Sequence, residues 1–533
     1  MGSSLFRQSR LVSGITLLSR LTGLLRDVIL AYWLGNNWIQ DSFKYAFRIP
    51  NLFRSLLGEG ALAAAFVPVL SEKLTAGDRS ATQRLLSTVA TLLAVLLAVL
   101  TLAVLGIVAV LYAADPADGH RRLILLLTAL MAPYMILVCL VALFAAVLNC
   151  LDRFALAAFM PVLLNVFQIA ALAAAPTLLA GVLPEQSDQI FVVGFSVLAA
   201  GVAQLALMLR ALKRQGWRWG WRFDVRAAEV RRIALTAAPM IVGLGILQFG
   251  AWLDDTIIVK LTATEGQSGF ELLGRTIAYP FAEGTLSSVD QARRLYQFPL
   301  GVLAIALATV AFPTFSRYAA NKDYGALAGS VRSALRLALF EGIPSGVGLL
   351  VLSELIVRVV FMRGNYTAAN TAATAHVLRF YSLGIWAYCS QHIILRAFYS
   401  LGDTVTPLWV MARTLAVAVA MNVTLLWVEG LGAGVFGLST AVMVGLNVVI
   451  LGRRLGRRLG ALDVGDVLWS AGKTLTASVA MGLAVYAGRE HLPIENKYLL
   501  LLACVGIGLA VFFAAALALR QREAWEMLRL RRR

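Results

Sequence analysis

SRLTGLLRDVILAYWLG, residues 19–35, has the leucines and aromatic residues of a membrane-crossing helix, yet it also carries Arg20, Arg26 and Asp27. On insertion scales each charge at the centre of such a helix costs about 2.5–3.5 kcal/mol, so three of them nearly cancel the apolar contribution. A helix of this kind stays in a bilayer only where its polar face meets protein, water or a charged ligand. The next stretch, DSFKYAFRIPNLFRSLLGEGALAAAFVP (41–68), repeats the pattern.

The rest of the chain fixes the setting. Its 533 residues are 59% hydrophobic and 14% charged, with mean hydropathy +0.78, which is outside the range of soluble domains. Residues 85–111, 123–151, 154–184, 189–209 and 498–519 are free of charge, and each reaches the length of about 20 residues needed to cross the hydrocarbon. Continuous apolar runs exclude a barrel, whose strands alternate. With amphipathic spans included, the reading is an all-α polytopic membrane protein of about 14 transmembrane helices. The stretches 41–70, 123–149, 284–316 and 376–400 are each expected as single helices.

The net charge of +18 sits between apolar spans rather than on a compact basic face, so nucleic acid is not an expected partner. SEKLTAGDRSATQR (71–84), KRQGWRWGWRFDVRAAEVRR (213–232), RRLGRRLG (453–460) and the tail RQREAWEMLRLRRR (520–533) occupy alternate loops. The positive-inside rule places them and both termini in the cytoplasm. Trp217, Trp219 and Trp221 are expected to form an interfacial anchor. Cys139, Cys150, Cys389 and Cys504 lack the spacing of a disulfide framework or a zinc site.

Two halves echo one another. Residues 46–71 align with 291–316, placing Arg48 on Arg293, Pro68 on Pro313 and Ser71 on Ser316, and 148–154 align with 399–405 through Asp152 and Asp403. The reading is a six-helix lobe over 1–216, a second over 217–460, and two additional helices with a basic tail over 461–533. No extramembrane segment is long enough to build a core of its own.

At 100° per residue, Ser13, Thr16, Arg20, Gly23 and Asp27 share one face of the first helix, with Ser19, Thr22 and Arg26 on the adjoining stripe. Lys44, Arg48, Asn51, Ser55 and Gly58 make the polar face of the second, with Arg54 and Glu59 beside it. Local pairing, Arg20 with Asp27 or Arg48 with Glu59, accounts for part of this. Arg20, Arg26, Lys44, Arg48 and Arg54 still outnumber Asp27, Asp41 and Glu59. A hydrated cavity and an anionic cargo would compensate the excess, with Arg20 and Arg26 left without protein partners. Arginine's planar fork suits phosphate or pyrophosphate.

SRLTGLLRD (19–27), DSFKYAFRIPNLFRSLLGEGALAAAFVPVLSE (41–72) and RLYQFPLGVLAIALATVAFPTFS (294–316) resemble the MurJ (MviN) lipid II flippase family of the MOP transporter superfamily. The likeness runs over essentially the whole chain. It implies two six-helix lobes around a central cationic cavity, plus two C-terminal helices that form a groove for a polyprenyl tail. It further implies export of lipid II, the undecaprenyl-pyrophosphate disaccharide pentapeptide, from the cytoplasmic to the outer leaflet of a bacterial inner membrane by alternating access. By position, Arg20, Arg26, Arg54 and Arg294 match the family's cavity arginines, and Asp27, Asp41, Asn51 and Glu59 match its polar positions. One departure stands out: Arg293 occupies a place where relatives often carry an acid, and Asp290 or interfacial water is its expected partner.

Some members of the family bind sodium. Asp254 or Asp255, with Asp403 and Asn422, would supply oxygen ligands in the corresponding regions. No other cofactor is implied, and membrane lipids and other cell-wall synthesis proteins are the further partners. Two rivals remain. An exporter of drugs or of another lipid-linked saccharide is one, although exporters of organic cations would line a cavity with carboxylates. A membrane enzyme acting on polyprenyl phosphates is the other, and it needs a nucleophile, base or metal cluster. His120, His376, His392 and His491 are scattered without ligand spacing, so the reading is a transporter and not an enzyme.

Overall fold

The computed structural model describes residues 2–58, 61–114, 119–264, 269–272, 275–302, 304–460 and 462–530. The chain divides into two compact units, Met1–Val259 and Lys260–Arg533. The first holds α1 (Gly2–Leu34), α2 (Trp38–Phe53), a π turn (Arg54–Gly58), α3 (Ala61–Thr75), α4 (Arg79–Ala114), α5 (Gly119–Met131), α6 (Tyr134–Cys150), α7 (Phe154–Leu178), α8 (Gln186–Arg214) and α9 (Ala228–Lys260). The second begins with a departure from the all-α expectation, strands β1 (Gly269–Leu272) and β2 (Arg275–Ala278), which pair antiparallel with Gly269 opposite Ala278. It continues with α10 (Thr285–Val302), α11 (Ala304–Ala320), α12 (Tyr324–Val360), α13 (Ala368–Ser382), α14 (Ile385–Ser400), α15 (Val405–Leu425), α16 (Gly434–Leu459), α17 (Val464–His491), α18 (Lys497–Ala518) and α19 (Arg522–Leu530).

The chain is an all-α polytopic membrane protein apart from that small hairpin. Among the described residues α4, α7, α8, α12, α15, α16 and α18 are each long and apolar enough to cross a membrane, and α5 with α6, bent by 41°, make one more. Others among the expected spans are broken or carry charge. The stretch 41–70 is not one helix, because Pro50 lies inside α2 and a π turn follows it. The stretch 123–149 bends ahead of Tyr134, where Pro133 precedes the new helix. The stretch 376–400 is interrupted at Leu383 and Gly384.

The turns that follow α6 and α14 correct the register of the second echo. After α6, Asp152 takes a left-handed φ of 57°, and after α14 Gly402 takes 75°. The following N–H reaches back five residues in each case, Arg153 to Leu148 at 2.9 Å and Asp403 to Phe398 at 3.0 Å. This C-terminal turn demands a residue that tolerates the left-handed conformation, so Asp152 corresponds to Gly402, not to Asp403.

The compact units part after α9, whereas the sequence reading opens its second lobe at 217. Side-chain ties hold α9 to the first unit, among them Arg48 to Asp255, Tyr45 to Thr256 at 2.9 Å, Lys73 to Glu229 at 2.7 Å and Arg232 to Glu72 at 2.9 Å. The core of that unit gathers Phe66, Leu70, Leu86, Leu97, Tyr134 and Phe144.

The tryptophan run behaves differently from a simple anchor. Arg79, Gln83, Ser87 and Thr91, each four residues on from the last, form a ladder along one face of α4. It bonds the extended segment 215–222: Arg79 donates to the Gln215 and Gly216 carbonyls, Gln83 exchanges bonds with the Arg218 backbone, and Ser87 and Thr91 accept from the N–H groups of Gly220 and Arg222. Trp217 is buried, its ring facing Arg79, and Trp219 packs against Phe144. Only Trp221, 70% exposed, is placed to meet an interface. Alternation along the extended segment puts all three tryptophans on one face; α4 and Phe144 cover the first two, and Trp221 lies beyond that cover, tilted against Trp219 with ring centroids 5.2 Å apart.

In the second unit α17 and α18 pack on α12 through Phe340, Leu352, Met481, Val485 and Phe512. A Cβ on Gly482 would sit 2.9 Å from Val347, so glycine permits that close approach. The base of the group is tied by Arg336, which donates to Asp466 and, at 2.7 Å, to Glu523 of α19. Burial alone would raise the Glu523 carboxyl. The bonds from Arg336 and Ser470 outweigh burial and hold it below its ordinary value.

Candidate functional site

In the first unit the polar faces of α1 and α2 are real, but their charges are more fully partnered than the sequence suggests. Arg26 does not stand alone. It donates from Nε and Nη2 to one oxygen of Asp27 at 2.9 and 2.7 Å, and from Nη1 to Asn165 of α7 at 3.2 Å. Asn165 in turn donates to the Ser19 carbonyl and the Thr22 hydroxyl. Asp27 is buried, which is affordable because the adjacent guanidinium neutralises it. Arg20, by contrast, is exposed and makes no ion pair among the described residues. The expected lack of protein partners is corrected for Arg26.

On α2, Arg48 donates to Asp255 at 2.5 Å, where the sequence alternative was Glu59. Glu59 lies outside the described residues. Asp255 has a side chain 4% exposed, so this is a buried tie between α2 and α9. Arg54, at the start of the π turn, donates to Asn51 at 3.0 Å. A π turn lets the chain carry an extra residue and re-aim its side chains, and here it sets the direction of Arg54. Asp41 is buried in the first turn of α2, where the helix dipole favours a carboxylate.

In the second unit Arg293 donates from Nε to the Tyr381 hydroxyl at 2.9 Å. Tyr381 stacks on Tyr296 with centroids 4.8 Å apart, and Tyr296 bonds Tyr388 at 3.3 Å. This tyrosine cluster is a partner that the sequence reading did not name for Arg293. Arg294, the next residue on α10, is half-buried and points about 100° away.

Of the residues offered for sodium, Asp403 and Asn422 stand at opposite ends of α15. Asp403 precedes α15 and Asn422 lies near its far end, about 28 Å apart along the axis. Asp403 is already occupied: Arg458 pairs with it at 2.6 Å and the Thr406 N–H caps onto it at 2.9 Å. Burial would raise its pKa, but these donors hold it below the usual value. Asp255 serves Arg48, and among the described residues no cluster of three or more His, Cys, Asp or Glu could hold a metal.

Asn165 and Tyr381 escaped the sequence reading because neutral amides and phenols in apolar helices carry no charge signal. Their partners lie 139 and 88 residues away along the chain.

Hydration of the polar faces is directly testable. With the native cysteines removed, cysteine at Ser19 or Asn51, both half-buried, is expected to react with a polar thiol reagent. Cysteine at Leu97, fully buried in α4, is expected to stay protected. Equal protection at all three positions means that α1 and α2 pack dry. The α2–α9 tie makes a second prediction: Arg48→Ala removes the guanidinium that neutralises the buried Asp255 carboxylate and should lower the folded amount in membranes, at a cost of about 3 kcal/mol. Adding Asp255→Asn should recover most of it. No recovery in the double variant, measured by detergent-extract chromatography, contradicts the pairing.

Residues 30–503 match the family model described as lipid II flippase MurJ. A protein named probable lipid II flippase MurJ from Rhizobium meliloti is 31% identical over 96% of this chain and 94% of its own. One of the same name from Vibrio cholerae is 30% identical, with 97% of each chain covered. Among solved structures, a lipid II flippase MurJ in an inward closed conformation superposes with TM-score 0.76 at 21% identity, covering 96% of this chain and 99% of that one. An inward-facing multidrug resistance MATE transporter of the MOP superfamily gives 0.67 at 11% identity, covering 85% and 98%. These two likenesses speak for the fold.

Proposed function

We propose, from the premise that this chain belongs to the MurJ family of lipid II flippases, that it carries lipid II from the cytoplasmic to the outer leaflet of a bacterial inner membrane by alternating access. Arg20, exposed on the polar face of α1 and making no ion pair among the described residues, is the observation in the molecule that carries the reading, since a cation at membrane depth requires an anion or water. Arg26, Arg54 and Arg294 join it as donors to the pyrophosphate. Asp27 and Asn165 hold the Arg26 fork in place, and exchange of some of these bonds for phosphate oxygens accompanies loading. The sugar-peptide head follows the hydrated polar faces while the polyprenyl chain stays in hydrocarbon, because only the head pays a desolvation cost for crossing.

The arginine-rich loops and both termini face the cytoplasm on this reading. The protein moves its cargo without altering it. Purified protein incubated with lipid II should bind it, competed by inorganic pyrophosphate, and should return it with unchanged mass. Hydrolysis or transfer of the headgroup would make the chain an enzyme and overturn the reading.

A further inference from the structure

Val405, Trp409, Arg413 and Val417 follow one another at four-residue spacing along α15 and form its outward stripe. Val405 and Trp409 are each 60% exposed and Val417 43%, and Arg413 is exposed with them. The opposite face, with Pro407, Val410, Thr414, Ala418 and Asn422, is buried. An outward stripe of valine and tryptophan on a membrane-crossing helix meets lipid. Arg413 therefore stands on a lipid-facing surface, about 12 Å along the axis from Val405.

Beside it lies a cavity of about 300 Å³, lined by Val405, Thr406, Trp409, Arg413 and Arg454 of α16. Neither Arg413 nor Arg454 makes a hydrogen bond or ion pair among the described residues. Asp403, the carboxylate next in sequence to this end of α15, is taken up by Arg458. Two unpartnered guanidinium groups with no carboxylate in the lining select an anion. The cavity opens at the first turns of α15 and the last turns of α16, where Val405, Thr406 and Arg454 lie, and with a tryptophan of the kind that settles at headgroup level this selects a lipid anion. Arginine bonds phosphate oxygens in bidentate fashion, and a phosphate drawn to Arg413 removes the cost of leaving that charge on a lipid-facing surface.

We propose that this cavity binds the phosphodiester headgroup of an anionic membrane phospholipid, with Arg413 and Arg454 as the phosphate donors. The site belongs to α15 and α16 and shares no residue with the cargo arginines.

The test uses the full chain with Val417→Cys, labelled with bimane in a background free of native cysteines, in vesicles containing brominated phosphatidylglycerol or brominated phosphatidylcholine. Val417 lies one turn beyond Arg413 on the same stripe, at acyl-chain depth and outside the cavity lining. Half-quenching is expected at a several-fold lower fraction of the brominated phosphatidylglycerol. Arg413→Gln with Arg454→Gln should bring the two curves together. Lysine at both positions should keep most of the preference, and Arg453→Gln, on α16 but outside the lining, should keep all of it. Equal quenching in the unaltered chain, or a preference that survives the double glutamine substitution, overturns the proposal. Millimolar inorganic phosphate should leave the preference in place, and its loss would mean that the cavity takes a free anion rather than a lipid.

Discussion

Arg26→Ala is expected to abolish growth when it replaces the wild-type copy, and also to lower the amount of folded protein in the membrane. The second effect follows from Asp27, which is 6% exposed and held by Arg26 at 2.7 Å. Removing one member of a buried pair costs about 3 kcal/mol, a large part of the stability of most domains. The two effects separate in Arg26→Ala with Asp27→Asn, where the buried carboxylate is removed together with the guanidinium. That double variant should recover its membrane level by immunoblot and still fail to support growth. Arg26→Lys should rescue growth partly, since it keeps the charge and loses the fork. Full growth of the double variant would mean that Arg26 serves only to neutralise Asp27.

Arg294→Ala is expected to lose both complementation and lipid II binding, while Arg293→Ala keeps binding within a few-fold and loses some stability. The structure supplies the reason for the difference. Arg293 is committed to the Tyr381 hydroxyl within a stack of tyrosines, so its removal leaves a phenol short of one partner at a cost of about 1–2 kcal/mol. Neighbouring side chains on a helix diverge by 100°, so the two arginines cannot serve one small anion equally. Growth under depletion, with lipid II retention by purified protein measured alongside, reads both effects. If Arg293 proves essential and Arg294 dispensable, the family register is displaced by one residue and the site must be rebuilt around the other arginine.

Much of the fold was legible because membrane helices are written in long apolar runs. Α4, α7 and α18 coincide closely with uncharged stretches of the sequence. The breaks were harder to see. Leu383 and Gly384 interrupt α13 and α14 without any proline, and the π turn at Arg54 has no compositional mark. The second echo was read one residue out of register because the matched aspartates, Asp152 and Asp403, are alike in type but differ in conformation. Only the left-handed φ at Asp152 and Gly402 aligns the turns.

The candidate site shows the same boundary between the legible and the hidden. Charged residues at membrane depth announced themselves, and Arg20, Arg26, Asp27, Arg48 and Arg54 fall on the polar faces drawn from helical spacing. Which charge meets which could not be read, since Asp255 is 207 residues from Arg48 and Asn165 is 139 from Arg26. Pairing across that separation is decided by tertiary packing, about which helical periodicity is silent.

Outward movement of lipid II is read by depleting this protein in its host and measuring lipid II in each leaflet. The account predicts accumulation in the cytoplasmic leaflet, reversed by the wild-type chain and not by Arg26→Ala with Asp27→Asn. An unchanged distribution between leaflets on depletion would contradict it.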